Sequence, residues 1–461
     1  MCLEKTKRLR STDFAGRRVL VMGLGSFGGG AGVTRFLVEK GAKVTVTDQR
    51  GANDLAEGMS QLDGLDITFR LNGHQENDFT AEQNDLIVVN PAVKKNSPYL
   101  KIAREQNVPR TSEMNIFFQL CPATIVGVTG SNGKSTTTAM IGAVLQAGAE
   151  GRAEHKYRQV WVGGNIGQEN LLVQIEHIEP DDVVVLELSS FQLYDLQEIR
   201  VSPPVAVLTN IGPNHLDWHG SMQAYVQAKQ NILRYQKKTD AALLNQRDKE
   251  LAGWEKLTPG EVRWYPKKNE EPIKLQVPGR HNQVNASAAA AVGELFGIEP
   301  SAAQEALFEF KGLEHRLELV RELKGVRYYN DSLATTPESV MVAMDAFHEP
   351  LVLILGGYDK KISLVHLAEK VVKTTAVQAV ILLGQVREKL AQEIEQCKTR
   401  ANSSFPMDVK VDSLAEAVIL AQRRARPGMA VLLSPGCASY DMFQNFRQRG
   451  EQFRQLVHEL E

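Results

Sequence analysis

A glycine-rich turn near residue 130 constrains the fold of this chain more than any other feature of its sequence. The run Gly127-Val-Thr-Gly130-Ser131-Asn132-Gly133-Lys134-Ser135-Thr136 lies between an apolar strand and a helical pattern. In such a unit, glycines let backbone N–H groups turn towards phosphate oxygens, and the helix N-terminus adds a positive dipole end. Lys134 would then reach the β- and γ-phosphates of a nucleotide, and the Ser135 hydroxyl would hold Mg²⁺. Val128 takes the place of the usual first glycine, and a turn without a ligand is the alternative interpretation.

Short apolar, β-branched runs recur along the chain, and each is followed by a helical pattern. Continuous apolar strands that alternate with helices are typical of parallel sheets covered on both faces. The fold class is therefore α/β. The runs that carry this prediction are Val19–Met22, Val44–Thr47, Leu86–Val89, Ile125–Val128, Val183–Leu188, Val205–Leu208, Val326–Tyr329, Leu351–Leu355, Val380–Leu383 and Ala430–Leu433.

Three glycine-rich turns, near Gly23, Gly130 and Gly356, divide the chain into three predicted domains. A chain of 461 residues is too long for one ordinary core, and each turn follows a different strand. The polar segment Gly253–Pro278 is expected to form surface hairpins or loops. The predicted domains are a Rossmann-like domain at residues 1–119, a central P-loop ATPase-type domain with a parallel sheet at 120–316, and a second Rossmann-like domain at 317–461.

Composition excludes several functions and favours a cytoplasmic location. The formal net charge is −2, so no overall field attracts nucleic acid or an anionic membrane. No apolar run approaches the roughly 18 residues that a membrane span needs. The four cysteines form no Cys-x-x-Cys pair, which favours reduced thiols in the cytosol.

Two polar segments follow buried strands after the glycine-rich turn. Glu187 ends the apolar run Val183–Leu188, and a carboxylate there is costly unless it is paired or binds metal. A structural salt bridge is the alternative. The segment Asn214-His215-Leu-Asp217 follows another buried strand and could be either a metal site or an ordinary capped turn. Lys229 lies in a helical stretch, where a lone lysine is usually solvated.

The N-terminal turn Gly23-Leu-Gly25-Ser-Phe-Gly28 has the spacing of a dinucleotide fingerprint, and Asp48 ends the next strand. Any ligand with a diphosphate and a ribose can use such a turn and carboxylate, so the pattern fits NAD and a UDP-sugar equally well. Near the C-terminus, polar groups follow three strands, at Asn330–Pro337, Gly356–Lys360 and Ser434–Gly450. Lysine and hydroxyl groups at strand ends suit a small carboxylate-bearing ligand, although ordinary turns have the same composition.

Taken together and in order, these segments resemble the Mur ligase family over nearly the whole chain. The family shares the P-loop variant Thr129–Thr136, Glu187, the Asn-His-Leu-Asp segment and the run Arg280–Asn285. The N-terminal turn and the ending Ser434-Pro-Gly-Cys-Ala-Ser-Tyr-Asp-Met-Phe-Gln-Asn-Phe446 are similar to those of the branch that adds D-glutamate to UDP-N-acetylmuramoyl-L-alanine in peptidoglycan synthesis. The sequence does not distinguish D- from L-glutamate.

The resemblance implies a monomeric, ATP-dependent ligase that uses two Mg²⁺ ions and no nucleic acid. Its members carry a carbamylated lysine at the position of Lys229. The roles it implies are as follows: Ser26, Phe27, Asp48 and Arg50 contact the UDP moiety; Asn165 and His215 contact the muramoyl-alanine arm; Gly130, Ser131, Asn132, Gly133, Lys134, Ser135, Thr136 and Glu187 hold ATP and the first Mg²⁺; Lys229 and His215 hold the second; Asn282 and Asn285 face the adenine; Arg316 and Asp331 face the phosphates and ribose; and Thr335, Lys360, Ser439 and Phe446 bind the amino acid.

Two positions depart from the family pattern. Leu333 stands where many members have lysine, and Asn90-Pro-Ala92 replaces the more usual Ser-Pro-Gly. Two other classes of function stay open: an NAD-dependent oxidoreductase with a fused P-loop module, and a binding protein in which the sites have decayed.

Overall fold

The computed structural model describes residues 9–25, 29–150, 157–164, 170–269, 271–359, 363–402 and 404–461. These residues form two compact units. One contains the chain up to Glu271 together with Val284–Ala303, and the other contains Pro272–Gln283 together with Gln304–Glu461. The first unit holds two parallel sheets and the second unit holds one mixed sheet. The predicted α/β class is confirmed, while the bounds of the three predicted domains stay predictions.

The first sheet has the order β3-β2-β1-β4-β5, and its strand pairs are all parallel. The alternation of apolar strands with helices produces this arrangement, because each crossover between parallel strands needs a helix-length connection. Its strands are β1 (Arg18–Met22), β2 (Lys43–Thr47), β3 (Ile67–Arg70), β4 (Leu86–Val89) and β5 (Arg110–Thr111), and its helices are α1 (Gly29–Glu39), α2 (Ala56–Ser60), α3 (Pro98–Glu105) and α4 (Glu113–Leu120).

The second sheet is also parallel, in the order β11-β10-β9-β6-β8-β7. Its strands are β6 (Thr124–Thr129), β7 (Val160–Gly164), β8 (Val183–Glu187), β9 (Val205–Leu208), β10 (Ala241–Asn245) and β11 (Glu261–Tyr265). The helices that follow them are α5 (Lys134–Glu150), α6 (Ser190–Ile199), α7 (Leu216–His219), α8 (Met222–Arg234), α9 (Arg280–Leu295) and α10 (Pro300–Glu309).

The expectation that Gly253–Pro278 forms only hairpins or loops is wrong, because this segment contains β11, which pairs in parallel with β10. An edge strand is bonded on one side only, so its other side tolerates exposed polar residues. The strand is accordingly exposed or half-buried at every position except Tyr265.

The third sheet has the order β12-β13-β17-β14-β15-β16. Its strands are parallel except at one edge, where β12 runs antiparallel to β13. The two join through Lys324 and Gly325, which both have positive φ, as a two-residue hairpin turn requires. The elements are β12 (Glu318–Leu323), β13 (Val326–Asn330), α11 (Pro337–Met344), β14 (Leu351–Gly356), α12 (Val365–Lys373), β15 (Val377–Leu383), α13 (Arg387–Ala401), β16 (Met407–Val411), α14 (Leu414–Arg424), β17 (Ala430–Leu433) and α15 (Phe446–His458).

Polar side chains join the two sheets of the first unit. Lys95, in the loop after β4, forms an ion pair with the buried carboxylate of Asp195 on α6. Asn115 Nδ2 on α4 donates to the backbone oxygen of Asp195 at 3.0 Å. Burial raises the pKa of Asp195 to about 6, although the charge of Lys95 acts to lower it. Helix α6 is therefore joined to the loop after β4 by an ion pair, and to α4 by a hydrogen bond as well as by apolar packing.

Gly127, in the middle of β6, is a position where even one added carbon has no room. A Cβ built on it would lie 2.6 Å from Pro203 Cγ and 2.9 Å from Leu188 Cδ1. We expect Gly127→Ala to destabilise the protein by about 1–3 kcal/mol through overpacking. Thermal unfolding would measure this loss, with Gly212→Ala as the matched control, because a Cβ there meets nothing within 4 Å. Equal melting temperatures for the two variants would contradict the prediction.

Within the described ranges, no helix is both long enough and apolar enough to cross a membrane. The three cysteines in that part of the chain, Cys121, Cys397 and Cys437, are buried thiols outside any disulfide.

Candidate active site

Three neighbouring strands of the second sheet bring the central polar segments to one edge. Strand β6 lies between β8 and β9, and Val128 on β6 is in register with Glu187 on β8. The carboxyl ends of parallel strands are where open α/β sheets bind ligands. The glycine-rich turn after β6, Glu187 at the end of β8 and the loop after β9 therefore lie side by side.

The glycine-rich turn is held by the loop that follows β9. The Ser131 N–H donates to Asn210 O at 2.8 Å, and the Asn132 N–H donates to Asn210 Oδ1 at 2.9 Å. The Thr209 hydroxyl donates to Asn132 O at 2.6 Å. A Cβ on Gly130 would collide with the Thr209 hydroxyl, so this close approach requires glycine. The sequence analysis missed the role of Thr209 and Asn210, although a polar pair directly after a buried strand was a usable signal.

The side chain of Ser131 connects the turn to the loop and helix beyond it. Its hydroxyl lies 2.8 Å from both Tyr225 OH and Gly212 O, and it accepts from the Gly212 N–H at 2.8 Å. The Ser131 hydroxyl is thus used within the protein. The backbone N–H of Ser131 is used as well, in the hydrogen bond to Asn210 O.

The predicted phosphate-binding residues begin helix α5. Lys134 is its first residue, followed by Ser135 and Thr136, and Lys134 Nζ donates to Ser131 O at 3.1 Å. A Cβ on Gly133, where φ is +80°, would lie 2.7 Å from Asn285 Oδ1. Asn285, predicted to face the adenine, is thereby placed against the turn that is predicted to hold the phosphates.

Lys229 is not the solvated lysine that its helix pattern alone suggested, since it is only 1% exposed. Its Nζ donates to Gly130 O at 2.8 Å and to Thr129 Oγ1 at 3.1 Å. Burial lowers the pKa of this amine well below its ordinary value, and the nearby charge of Lys134 lowers it further, whereas Glu187 acts to raise it. Lys229 therefore lies within the same electrostatic neighbourhood as Lys134 and Glu187.

Hard oxygen donors suit Mg²⁺, and two of the predicted ligands supply them on adjacent elements. Glu187 is a buried carboxylate at the end of β8, and Ser135 is a hydroxyl in the first turn of α5. No cluster of three or more His, Cys, Asp or Glu side chains suited to a metal occurs in the described segments. A magnesium ion here would thus depend on mixed ligands. Lys229 fits as a further ligand only in a carboxylate-like form, because an ammonium repels a cation.

His215 directly precedes the short helix α7 and has a left-handed conformation, with φ of +53°. Its ring packs against Phe191 with 4.8 Å between centroids. His219 on the same helix lies 2.9 Å from Ser190 Oγ through Nε2 and stacks on Phe191. The structure therefore places His215 on the loop that is tied to the glycine-rich turn through Ser131.

The N-terminal turn is held by Asp48, at the end of β2. Asp48 Oδ2 accepts from the Leu24 N–H at 3.0 Å, and Oδ1 accepts from the Arg50 N–H at 3.0 Å. Burial acts to raise the pKa of Asp48, but the hydrogen bonds from Arg50 and Leu24 outweigh it and lower the pKa. A charged Asp48 with a neighbouring Arg50 is thus positioned directly beneath the turn.

Three predicted nucleotide-binding residues belong to the second unit. Asn282 is buried, and its Nδ2 donates to Pro278 O at 2.6 Å. Asp331 is also buried, accepting from Ser434 Oγ at 2.7 Å and from the Leu317 N–H at 3.2 Å, next to Arg316. Burial raises the pKa of Asp331 to about 7. In this arrangement Asp331 organises the strand ends of its own sheet.

Residues predicted to bind the amino acid follow adjacent strands of the third sheet. Thr335 lies in the turn after β13, Ser439 follows β17, and Phe446 begins α15. The Phe446 backbone oxygen accepts from the Ser332 hydroxyl at 2.8 Å, so the turns after β13 and β17 are directly connected. Four further residues that were predicted to bind substrate lie outside the described residues: Ser26, Phe27, Asn165 and Lys360.

The fold and the site together define a P-loop α/β protein with a buried acid and a buried lysine beside the loop. Three family models match the chain: the Mur ligase MurD-like N-terminal domain at residues 17–112, the Mur ligase middle domain at 128–271, and the Mur ligase glutamate ligase domain at 315–437. The chain belongs to the Mur ligase family.

Relatives and solved structures agree with this assignment. The chain is 40% identical to the UDP-N-acetylmuramoylalanine--D-glutamate ligase of Roseiflexus sp. (strain RS-1), over 96% of this chain and 99% of that protein. It is 38% identical to the enzyme of the same name from Symbiobacterium thermophilum, over 96% and 98%.

Two solved structures share the fold at low sequence identity. The UDP-N-acetylmuramate-alanine ligase of Thermotoga maritima has a TM-score of 0.59 at 19% identity, covering 96% of this chain and 99% of that one. The MurF ligase of Thermotoga maritima in complex with ADP has a TM-score of 0.54 at 17% identity, covering all of both chains.

Proposed function

We propose that this protein is an ATP-dependent ligase that adds D-glutamate to UDP-N-acetylmuramoyl-L-alanine in peptidoglycan synthesis. The observation that carries the proposal is the grouping of the P-loop, Glu187 and buried Lys229 at one sheet edge. It is supported by the names of relatives that match almost end to end at 38–40% identity.

The chemistry of the reaction explains why such a site is needed. A carboxylate is a poor electrophile, so the alanyl carboxylate first attacks the γ-phosphate of ATP. ADP leaves, and the carboxylate becomes an acyl phosphate. Lys134 neutralises negative charge that develops on the transferring group, and the N-terminus of α5 orients the phosphates. The amine of glutamate then attacks the acyl carbon, and phosphate leaves from the tetrahedral intermediate. When bound, Mg²⁺ would add further charge neutralisation, with Ser135 and Glu187 as its proposed first ligands.

The remaining assignments extend the proposal to each substrate. Asp48 and Arg50, beneath the N-terminal turn, would bind the UDP moiety with Ser26 and Phe27. His215 and Asn165 would contact the muramoyl-alanine arm, and His215 with Lys229 would hold a second Mg²⁺. Adenine would be recognised by Asn282 and Asn285, and the phosphates and ribose by Arg316 and Asp331. Thr335, Lys360, Ser439 and Phe446 would bind the amino acid. The enzyme would act as a cytoplasmic monomer.

The test is a phosphate-release assay on the full chain with ATP, Mg²⁺ and UDP-N-acetylmuramoyl-L-alanine. D-glutamate, L-glutamate, L-alanine, L-lysine, diaminopimelate and D-alanyl-D-alanine are supplied one at a time. We expect release with D-glutamate only and only when the UDP-sugar is present. Equal release of phosphate with L-glutamate would contradict the proposed specificity for D-glutamate. Saturable binding in a titration with NADH would instead favour an oxidoreductase.

The N-terminal turn gives a separable prediction. We expect Asp48→Ala to raise the KM for the UDP-sugar by about 10-fold or more, because a hydrogen bond to a charged group is worth about 1.5–3 kcal/mol. The KM for ATP should change little, since that ligand binds the other sheet. Steady-state kinetics with each substrate varied would measure both, with Asp85→Ala on the same sheet as an exposed control. Equal losses for the two ligands would mean that Asp48 is structural.

A further inference from the structure

Arg449, on helix α15, is a buried charged side chain to which the proposed mechanism gives no role. It is 2% exposed, and burial lowers its pKa to about 10, so the guanidinium stays charged at neutral pH. Burying a cation is costly unless its donors are satisfied. The hydrogen-bond partners of this side chain therefore indicate which part of the structure the buried charge stabilises.

The guanidinium binds two separate turns at the edge of the third sheet. Nε donates to the Ser332 hydroxyl at 2.9 Å, and Nη2 donates to Ser332 O at 2.9 Å. Nη1 and Nη2 both donate to Cys437 O at 3.2 Å, and Nη1 also reaches Ala438 O at 3.4 Å. The planar fork of arginine can serve several oxygens at fixed angles, which a lysine ammonium cannot do.

Each of these contacts lies next to a residue proposed to bind the amino acid. Ser332 stands three residues before Thr335, and its hydroxyl donates a hydrogen bond to Phe446 O at 2.8 Å. Ala438 directly precedes Ser439, and its backbone oxygen also accepts from the Tyr358 N–H at 2.8 Å. Three turns, after β13, β14 and β17, are thus tied to one guanidinium.

Arg449 also places a positive charge beside residues proposed to bind an amino acid that carries two carboxylates. The described hydrogen bonds of Arg449 go to a hydroxyl and to backbone oxygens, with Asp441 as a nearby negative charge. A desolvated cation in this position provides a stronger field than an exposed one, because the surroundings screen it less. A well-packed apolar side chain would be as good for stability alone.

We propose that Arg449 is a positioning residue of the amino-acid site, which sets the spacing of Thr335, Ser439 and Phe446 for a dicarboxylate substrate. This inference rests on the proposed ligase function. It predicts that loss of Arg449 impairs the second half of the reaction and spares the first, since acyl phosphate formation takes place on the other unit's P-loop.

The experiment compares Arg449→Met and Arg449→Lys with the wild type in two assays. Acyl phosphate is trapped with hydroxylamine as a hydroxamate in the absence of amino acid, and ligation is followed by phosphate release with D-glutamate varied. We expect hydroxamate yields near the wild-type level. The KM for D-glutamate should rise on the order of 10-fold or more in both variants, because small misplacements of binding groups are costly. The KM for the UDP-sugar should be unchanged.

Arg424→Met is the matched control, because Arg424 is a half-exposed arginine of the same domain that binds Asp408 through two hydrogen bonds. Added guanidinium at millimolar concentration should partly restore ligation by Arg449→Met and should not affect the control. An unchanged KM for D-glutamate in Arg449→Lys, or a parallel loss of hydroxamate in a variant with the wild-type melting temperature, would overturn the inference. Absence of both products with the wild-type enzyme would instead refute the proposed function.

Discussion

Replacing Lys134 with alanine is expected to lower phosphate release by at least about 10²-fold, the loss typical of removing one preorganised charge-stabilising donor. Lys134 is the first residue of α5 and the cation of the glycine-rich turn. Lys229 is buried with its amine directed at Gly130 O and Thr129 Oγ1, so it is poorly placed to substitute. Phosphate release with both substrates at saturation is the measurement.

The variant should keep its fold, because the Lys134 side chain contributes its amine to the turn and not to an apolar core. Lys267→Ala provides a control, since Lys267 is an exposed lysine paired with Glu294. We expect wild-type melting temperatures for both variants and wild-type turnover for the control alone. Near-normal turnover in Lys134→Ala would rule out the P-loop as the phosphate site.

Replacing Lys229 with alanine is expected to leave the enzyme nearly inactive. Only an unprotonated amine reacts with CO₂, and burial holds the pKa of this lysine far below its usual range. Carbamylation would convert a group that repels Mg²⁺ into a carboxylate-like ligand, which a bound cation then favours. The modification would thus place a negative charge at Lys229.

Two observations separate this hypothesis from a simple structural role. Short carboxylic acids such as acetate should partly restore turnover to Lys229→Ala by occupying the vacated ligand position. The wild type, but not Lys229→Ala, should show a carbamate carbon resonance after incubation with ¹³C-bicarbonate. Lys229→Arg keeps the positive charge and should be at least as inactive as the alanine variant. High activity in Lys229→Arg would show that the lysine acts as an ordinary cation.

Strands were predictable from the sequence where they consist of continuous apolar, β-branched runs. All four residues of the run Val205–Leu208 are buried, and a fully apolar, partly β-branched segment is stable in few places other than a buried strand. Strand β12 was not predictable in the same way, because its six residues include two glutamates and an arginine. It is stabilised by a hairpin to β13, and hairpin pairing at a sheet edge does not need an apolar run.

The candidate site likewise has a part that was predictable from the sequence and a part that was not. The glycine-rich turn that is predicted to bind phosphate is local in sequence, so its glycines and Lys134 could be recognised directly. The buried amine of Lys229 donates a hydrogen bond to Thr129, 100 residues away, and Arg449 donates one to Ser332, 117 residues away. Such contacts arise only from the folded topology, and no spacing rule in a single sequence reveals them.

The ion pair between Lys95 and Asp195 limits how freely the parts of this protein can be exchanged during evolution or engineering. The two charges belong to different sheets of the first unit, and the Asp195 carboxylate is buried. Removing one partner of a buried pair costs about 3–5 kcal/mol, because the other charge is left uncompensated. A chimera that takes its N-terminal third from a relative without a cation at position 95 would inherit that penalty, so the two segments have to be recombined as a matched set.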